Sequence, residues 1–183
     1  YLIAKSEFDI EVMATTNPKE AFEGTDYIFA QIRAGGLEMR EHDEKIPLKY
    51  GLIGQETCGV GGFSYALRSM KGFLKMMDDI VKYAPEAWVL NYTNPETIIS
   101  EAVSRKYPKA KISNACDMVI SIEKTLADIY NYKHEDWIVT YYGLNHFGWF
   151  KSIFDRKERR EIMPEIIDRA LTEGVWLNEG DDR

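Results

Sequence analysis

Short runs of apolar, β-branched and aromatic residues alternate along the chain with longer stretches whose apolar positions recur every three or four residues. Residues 11–16 and 26–32 carry the first pattern and predict strands. Between them, Asn17-Pro18-Lys19-Glu20-Ala21-Phe22 reads as a short helix with a capping Asn and a Pro in the first turn, where the missing N–H has no partner to lose. From Gly62 to about Ala84, the residues Phe63, Leu67, Met70, Leu74, Met77 and Val81 keep the period of one helix face, and Pro85 ends it. A strand at 87–92, a helix at 95–106, a strand at 110–114, a helix at 118–130 and a strand at 137–142 continue the alternation.

Repeated strand-helix alternation predicts an α/β fold: a Rossmann-like, mostly parallel sheet with helices on both faces. In such sheets ligands bind beyond the carboxyl ends of the strands. Gln31-Ile32-Arg33, Asn91-Tyr92-Thr93-Asn94-Pro95, Asn114-Ala115-Cys116-Asp117 and Gly143-Leu144-Asn145-His146 each follow an expected strand, so they are expected at one edge of one sheet. No strand runs into Gly-x-Gly-x-x-Gly, the turn that brings backbone amides to a dinucleotide pyrophosphate. Gly59-Val60-Gly61-Gly62 opens a helix, but at the wrong spacing. The residues alone therefore point to a Rossmann-like sheet without showing a cofactor.

Composition narrows the class. The 183 residues are 45% hydrophobic and 29% charged, as in an ordinary folded protein. A net charge of −7 argues against a nucleic-acid or anionic-membrane partner, which needs Lys and Arg gathered on one face. The basic run at 156–160 includes Glu158 and is flanked by Asp155 and Glu161, so it reads as a solvated turn. Two cysteines are too few for a secreted disulfide scaffold, and no run approaches the ~18 apolar residues of a membrane span. Both point to a cytoplasmic protein, and a start at Tyr1 rather than Met suggests truncation.

Cys116 and Asp117 lie where a helix begins, so the positive end of its dipole faces them. A thiolate and the imidazole of His146 suit a borderline divalent ion and leave positions open for substrate oxygens. The alternative is a buried Cys and a hydrogen-bonded His. Arg33 and Arg40 flank Ala34-Gly35-Gly36, read as a mobile loop where a guanidinium could grip a phosphate, or else form a surface ion pair. Asn94-Pro95 reads as a helix cap followed by Pro at the first helical position, with the Asn amide nitrogen left free. Glu56 is expected to face solvent, as are His42 and His134. No Ser-His-Asp order, Gly-x-Ser-x-Gly elbow, Walker loop or Cys-x-x-Cys pair appears.

Taken in order and spacing, Gln31-Ile32-Arg33-Ala34-Gly35-Gly36, Met39-Arg40-Glu41, Gly54-Gln55-Glu56-Thr57-Cys58-Gly59, Leu90-Asn91-Tyr92-Thr93-Asn94-Pro95, Cys116-Asp117-Met118 and Tyr141-Tyr142-Gly143-Leu144-Asn145-His146-Phe147-Gly148-Trp149 resemble glycoside hydrolase family 4 across residues 10–150. Cys116-Asp117-Met118 resembles its 6-phospho-α-glucosidase branch, rather than the Cys-Asn of the β-glucosidases or the Cys-His of galactosidases and glucuronidases. Val119 stands where that branch usually has Pro.

The resemblance implies hydrolysis by a redox route, an exception to two-carboxylate glycosidase chemistry. NAD would take a hydride from sugar C3 and return it after elimination and water addition. A divalent metal, typically Mn²⁺, would be held by Cys116 and His146 and would stabilise the enediolate. Asp117 would be the catalytic acid, and Arg40, Glu56, Asn94 and Asn145 would bind a phosphorylated disaccharide, with Arg40 ranked above Arg33. The family's tyrosine base and its Gly-rich NAD loop match nothing in this sequence, so the fragment alone is expected to be inactive. Residues 1–142 are read as a partial NAD-binding Rossmann-like domain without its first strand and Gly-rich loop. Residues 143–183 are read as the start of a second, α+β catalytic domain, and the full-length form as a homo-oligomer. The rival readings are a lactate/malate dehydrogenase-like oxidoreductase, which would need no Mn²⁺, and a non-catalytic binding module.

Overall fold

The computed structural model describes residues 10–175, and the chain divides into two compact units between Ala115 and Cys116. In the first, α1 (Pro18–Phe22) is capped as its sequence implies: the Asn17 side chain accepts from the Lys19 N–H, and Pro18 sits in the first turn. Strands β1 (Tyr27–Ala30), β2 (Trp88–Asn91) and β3 (Lys111–Asn114) form a parallel sheet in that order, with Tyr27 opposite Trp88 and Trp88 opposite Lys111. The expected strand at 11–16 is not one. With no ladder partner among the described residues, this segment stays irregular and leaves Val12 and Met13 exposed.

Helices α3 (Gly59–Tyr83) and α4 (Glu96–Lys106) cover the sheet face that carries Ile28, Ala30 and Val89. Phe73, Met77 and Ile80 of α3 and Ile99 and Val103 of α4 close that core. On the opposite sheet face, Tyr27, Phe29 and Trp88 are exposed. Half of the expected α3 stripe is borne out: Met77 is buried and Met70 and Leu74 pack against the core, while Phe63, Leu67 and Val81 stay exposed. The buried face is turned toward Ala66, Ser69, Phe73 and Ile80. Both sets have helical spacing, and the small residues on the buried side let the helix lie closer to the sheet.

Residues 34–36 lead straight into a helix rather than a loop: α2 (Gly36–Leu48) starts from Gly35 in the left-handed region, φ 87°. Pairs spaced by four, Arg40 with Glu44 and Glu41 with Lys45, support it.

The carboxyl edge of the parallel sheet is held by a buried polar network. Asn91 donates to the Asn114 Oδ1 at 2.8 Å, and Asn114 donates to the Ser100 Oγ at 3.0 Å. The Asn91 Oδ1 accepts the Thr93 N–H, and the Thr93 hydroxyl accepts the Ile32 N–H at 3.1 Å. Because Asn91 and Thr93 are almost wholly buried, each of these bonds offsets a desolvation cost, and together they fix where the loops after β1 and β2 leave the sheet.

The second unit contains α5 (Met118–Tyr130), β4 (Trp137–Leu144), β5 (Phe147–Asp155), β6 (Arg160–Glu161) and α6 (Met163–Glu173). The expected strand at 137–142 is present and longer, but it joins an antiparallel sheet in the order β4-β5-β6 instead of extending the parallel one. The reason is local, since only Asn145 and His146 separate β4 from β5 and a two-residue connection can only return antiparallel. Ala127 and Tyr130 of α5, Trp137, Ile153, Ile162 and Ile166 form its core. The basic run makes the turn before β6, where the Asp155 carboxylate accepts from the Lys157 and Glu158 N–H groups.

Candidate functional site

Within the second unit, the Cys116 Sγ and His146 Nε2 lie 3.4 Å apart. A shared sheet edge does not bring them together. Cys116 precedes α5, and His146 sits at the tip of the β4–β5 hairpin in the left-handed conformation, φ 60°. That tip is braced. The Tyr141 hydroxyl donates to the Leu144 carbonyl at 3.1 Å, and a Cβ on Gly143 would stand 2.6 Å from the Gly148 Cα, so the strands can close only because both positions are glycine.

The separation is shorter than a metal–thiolate bond of ~2.3 Å and a metal–imidazole bond of ~2.0 Å laid end to end, so one ion can bond both atoms. Both side chains belong to exposed residues, open to a ligand. Among the described residues, no group of three or more His, Cys, Asp and Glu side chains converges on one point. Two donors alone do not make the closed four-ligand set of a structural ion.

Asp117 occupies the N-cap of α5. Its carbonyl accepts the Ser121 N–H at 2.8 Å, while its carboxylate makes no capping bond and has no hydrogen-bond partner among the described residues. It lines a cleft of about 490 Å³ with His146, Met118, Ile122 and Leu126. A free carboxyl group on the wall of a largely apolar cleft can act on a bound molecule. Asn145 is exposed in the hairpin turn beside His146.

Within the first unit, Glu56 does not face solvent. Its side chain is 18% exposed and is clasped by the Arg33 Nη1 at 2.9 Å and the Arg40 Nε at 3.1 Å. The hydrogen bond to Glu44 and then the charge of Glu56 raise the Arg40 guanidinium above its ordinary value. Arg40 spends only its Nε on these carboxylates. Its two terminal nitrogens keep no partner among the described residues and remain available to an anion.

Asn94 is not the helix cap. Pro95 takes that place and its carbonyl accepts the Ile99 N–H, so the Asn94 amide is spent on no backbone group and both its ends are free among the described residues. The side chain instead lines a polar cleft with Gln31, Arg33, Tyr65 and Tyr92. The Asn94–Pro95 bond is cis.

The Gly-rich start of α3 is no phosphate cradle. A Cβ on Gly61 would lie 2.5 Å from the Gln55 carbonyl oxygen and 2.6 Å from that of Asp43, and one on Gly62 would lie 2.3 Å from the Thr57 carbonyl carbon. These glycines let α2, the Glu56 loop and α3 meet backbone to backbone. Gly61 and Gly62 are therefore committed to packing and leave no opening for a pyrophosphate between them. His134, expected in solvent, is half-buried against Glu123, with its Nε2 3.2 Å from the carboxylate. Sequence reasoning also missed Asp43 and Arg68, an ion pair whose carboxylate is buried and whose guanidinium is partly exposed; its only signal was one arginine inside an apolar helical run.

A Rossmann-like parallel sheet with a Cys-Asp pair opening the following helix and a histidine brought onto that cysteine defines a class. The chain belongs to the family 4 glycosyl hydrolases, whose family description it matches over residues 1–132. It is 48% identical over 174 residues to the maltose-6'-phosphate glucosidase MalH of Clostridium acetobutylicum, covering 94% of this chain and 39% of MalH. It is 50% identical over 167 residues to the maltose-6'-phosphate glucosidase of Bacillus subtilis, covering 91% of this chain and 37% of that protein. Its fold matches a crystal structure of a 6-phospho-α-glucosidase from gut microorganisms in complex with NAD and Mn²⁺, with a TM-score of 0.84, 43% identity and coverage of 92% of this chain and 39% of that one. The chain thus spans under half the length of these curated relatives.

Proposed function

We propose that the protein carrying this chain hydrolyses 6-phospho-α-glucosides, phosphorylated disaccharides among them, with NAD and a divalent cation, Mn²⁺ by preference. The observation that carries this reading is the 3.4 Å approach of the Cys116 Sγ to the His146 Nε2, with Asp117 adjoining. Family membership supports it, as do the maltose-6'-phosphate glucosidases at 48% and 50% identity and the similar structure that binds NAD and Mn²⁺. When bound, NAD would carry a hydride from the sugar and back, and the cation would draw electron density from sugar oxygens.

The chain's own residues take separate tasks. Cys116 and His146 hold the cation through sulfur and imidazole nitrogen. Asp117, whose carboxyl is committed to no cap, delivers a proton to the departing glycosidic oxygen. In the first unit, the free terminal nitrogens of Arg40 meet the sugar phosphate, Glu56 keeps that guanidinium in place, and the Asn94 amide bonds sugar hydroxyls. Asn145 offers a further amide beside His146. The same reading assigns residues 1–142 to a partial NAD-binding domain and residues 143–183 to the start of a catalytic domain. It also makes the whole protein a homo-oligomer of the cytoplasm.

The test is turnover of maltose 6'-phosphate and of its β-linked counterpart by the protein carrying this chain, each with and without NAD⁺ and Mn²⁺. The expected result is turnover of the α-linked sugar alone, and only with both additions. Equal turnover of the β-linked sugar overturns the substrate assignment, and activity without Mn²⁺ overturns the metal role of Cys116 and His146.

A further inference from the structure

We propose that Arg68 and Asp43 form a positioning pair that sets the two arginines on Glu56 without touching Glu56 themselves. The inference rests on the reading above that Arg40 contacts the sugar phosphate. From α3, the Arg68 Nη1 donates to the Asp43 Oδ1 at 3.0 Å and its Nη2 donates to the Oδ2, a two-point grip. Asp43 is 5% exposed, so its carboxylate is held where water does not reach.

The same guanidinium reaches two other parts of the cluster. Its Nε donates to the Ala34 carbonyl at 3.5 Å, immediately before the glycine from which α2 starts. Its carbon stands 5.8 Å from the centre of the Tyr65 ring, while that of Arg33 stands 5.3 Å from the same centre. Arg68 therefore touches the middle of α2, the entry to α2, and the ring on which Arg33 rests.

Geometry carries this to Arg40. Asp43 lies three residues beyond Arg40 on α2, close to one turn, so holding Asp43 fixes the rotation of α2 about its axis and the direction in which Arg40 projects. A buried ion pair is weak grounds for stability, because desolvation offsets much of the attraction. What a two-point grip supplies well is direction. A lysine at 68 would keep the charge and lose the fork that reads both carboxylate oxygens.

The test measures KM, kcat and thermal midpoint on a 6-phospho-α-glucoside in the protein carrying this chain, for Arg68→Lys, Arg40→Ala, the two combined, and the paired change Arg68→Met with Asp43→Leu. Arg68→Lys is expected to raise KM about tenfold with kcat within about twofold, the signature of lost uniform binding. In the Arg40→Ala background the same change should add less than about twofold, because the group it positioned is gone. The paired apolar change removes both charges without leaving either one buried alone, and is expected to share the KM rise while the protein stays folded. An unchanged KM in the paired variant overturns the proposal. So does an Arg68→Lys variant that melts earlier with KM unaltered, or one whose KM rise is undiminished in the Arg40→Ala background. If Arg40→Ala alone leaves KM unchanged, the substrate reading fails first, and that failure is visible before Arg68 is altered.

Discussion

At the scale of single residues, adjacency in sequence and freedom in space pull Asp117 in two directions. It neighbours Cys116, so any change at 117 can disturb the cysteine, yet its carboxylate is bonded to nothing among the described residues. The two roles separate by leaving group. If Asp117 protonates the departing oxygen, Asp117→Asn in the protein carrying this chain should slow an alkyl 6-phospho-α-glucoside by roughly 10²–10⁴-fold in kcat/KM. A nitrophenyl glucoside, whose leaving group needs little protonation, should lose far less. Measured at saturating Mn²⁺, equal losses on both substrates would instead mean that the substitution acts through the metal. Glu56 teaches a different lesson at this scale. Its local sequence is that of a solvent-facing loop residue, and only Arg33 and Arg40, 23 and 16 positions away, make it part of a charged cluster.

At the scale of elements, α2, the Glu56 loop and α3 meet backbone to backbone, and glycine makes that approach possible. Gly61→Ala places a methyl group about 2.5 Å from two backbone carbonyl oxygens, Gln55 and Asp43, neither of which can rotate away. It should destabilise the fold by roughly 1–3 kcal/mol, the usual cost of overpacking, despite the better helix propensity of Ala. Gly72 on the same helix is the control. The nearest atom to its added Cβ is the flexible end of Ile32, at 3.3 Å. Gly72→Ala should therefore be neutral or stabilising by up to ~1 kcal/mol. Chemical denaturation of the two variants checks both, and a Gly61→Ala protein as stable as Gly72→Ala would refute the close approach.

At the scale of the molecule, the two units of the described chain each contribute features of their own. The chain has a parallel sheet, a cysteine and histidine within metal-bridging distance, and an arginine with free terminal nitrogens. No strand of the sequence runs into a dinucleotide-binding turn, and Gly61 and Gly62 are occupied by packing. The 183-residue chain by itself is accordingly expected to give no steady turnover of a 6-phosphoglucoside with NAD⁺ and Mn²⁺ added. Sustained turnover by the purified chain would show that the pyrophosphate is held by something other than a Gly-rich turn.

What the sequence determined by itself was local: the Asn17 cap and Pro18 of α1, the bounds of α5, the extents of β2 and β3 to within a residue or two, and Cys116 with Asp117 at the start of a helix. These follow from capping, proline and period, which act over a few residues and need no distant partner. The family resemblance added the pairing of Cys116 with a histidine, which spacing alone left open. Tertiary structure decided what depends on a neighbour far along the chain. It turned the buried face of α3 from Phe63, Leu67 and Val81 toward Ala66, Ser69, Phe73 and Ile80, and among the described residues it gave 11–16 no ladder. It also carried His146 to Cys116 on a turn instead of a strand end, although the return of β5 that makes β4 half of a hairpin is local, two residues on. It freed Asn94 from capping and enclosed Glu56 between two arginines. Periodicity states that a face is apolar, and packing selects among faces only when the partner is present, so the buried face of α3 and the enclosure of Glu56 were not legible from any local run of residues.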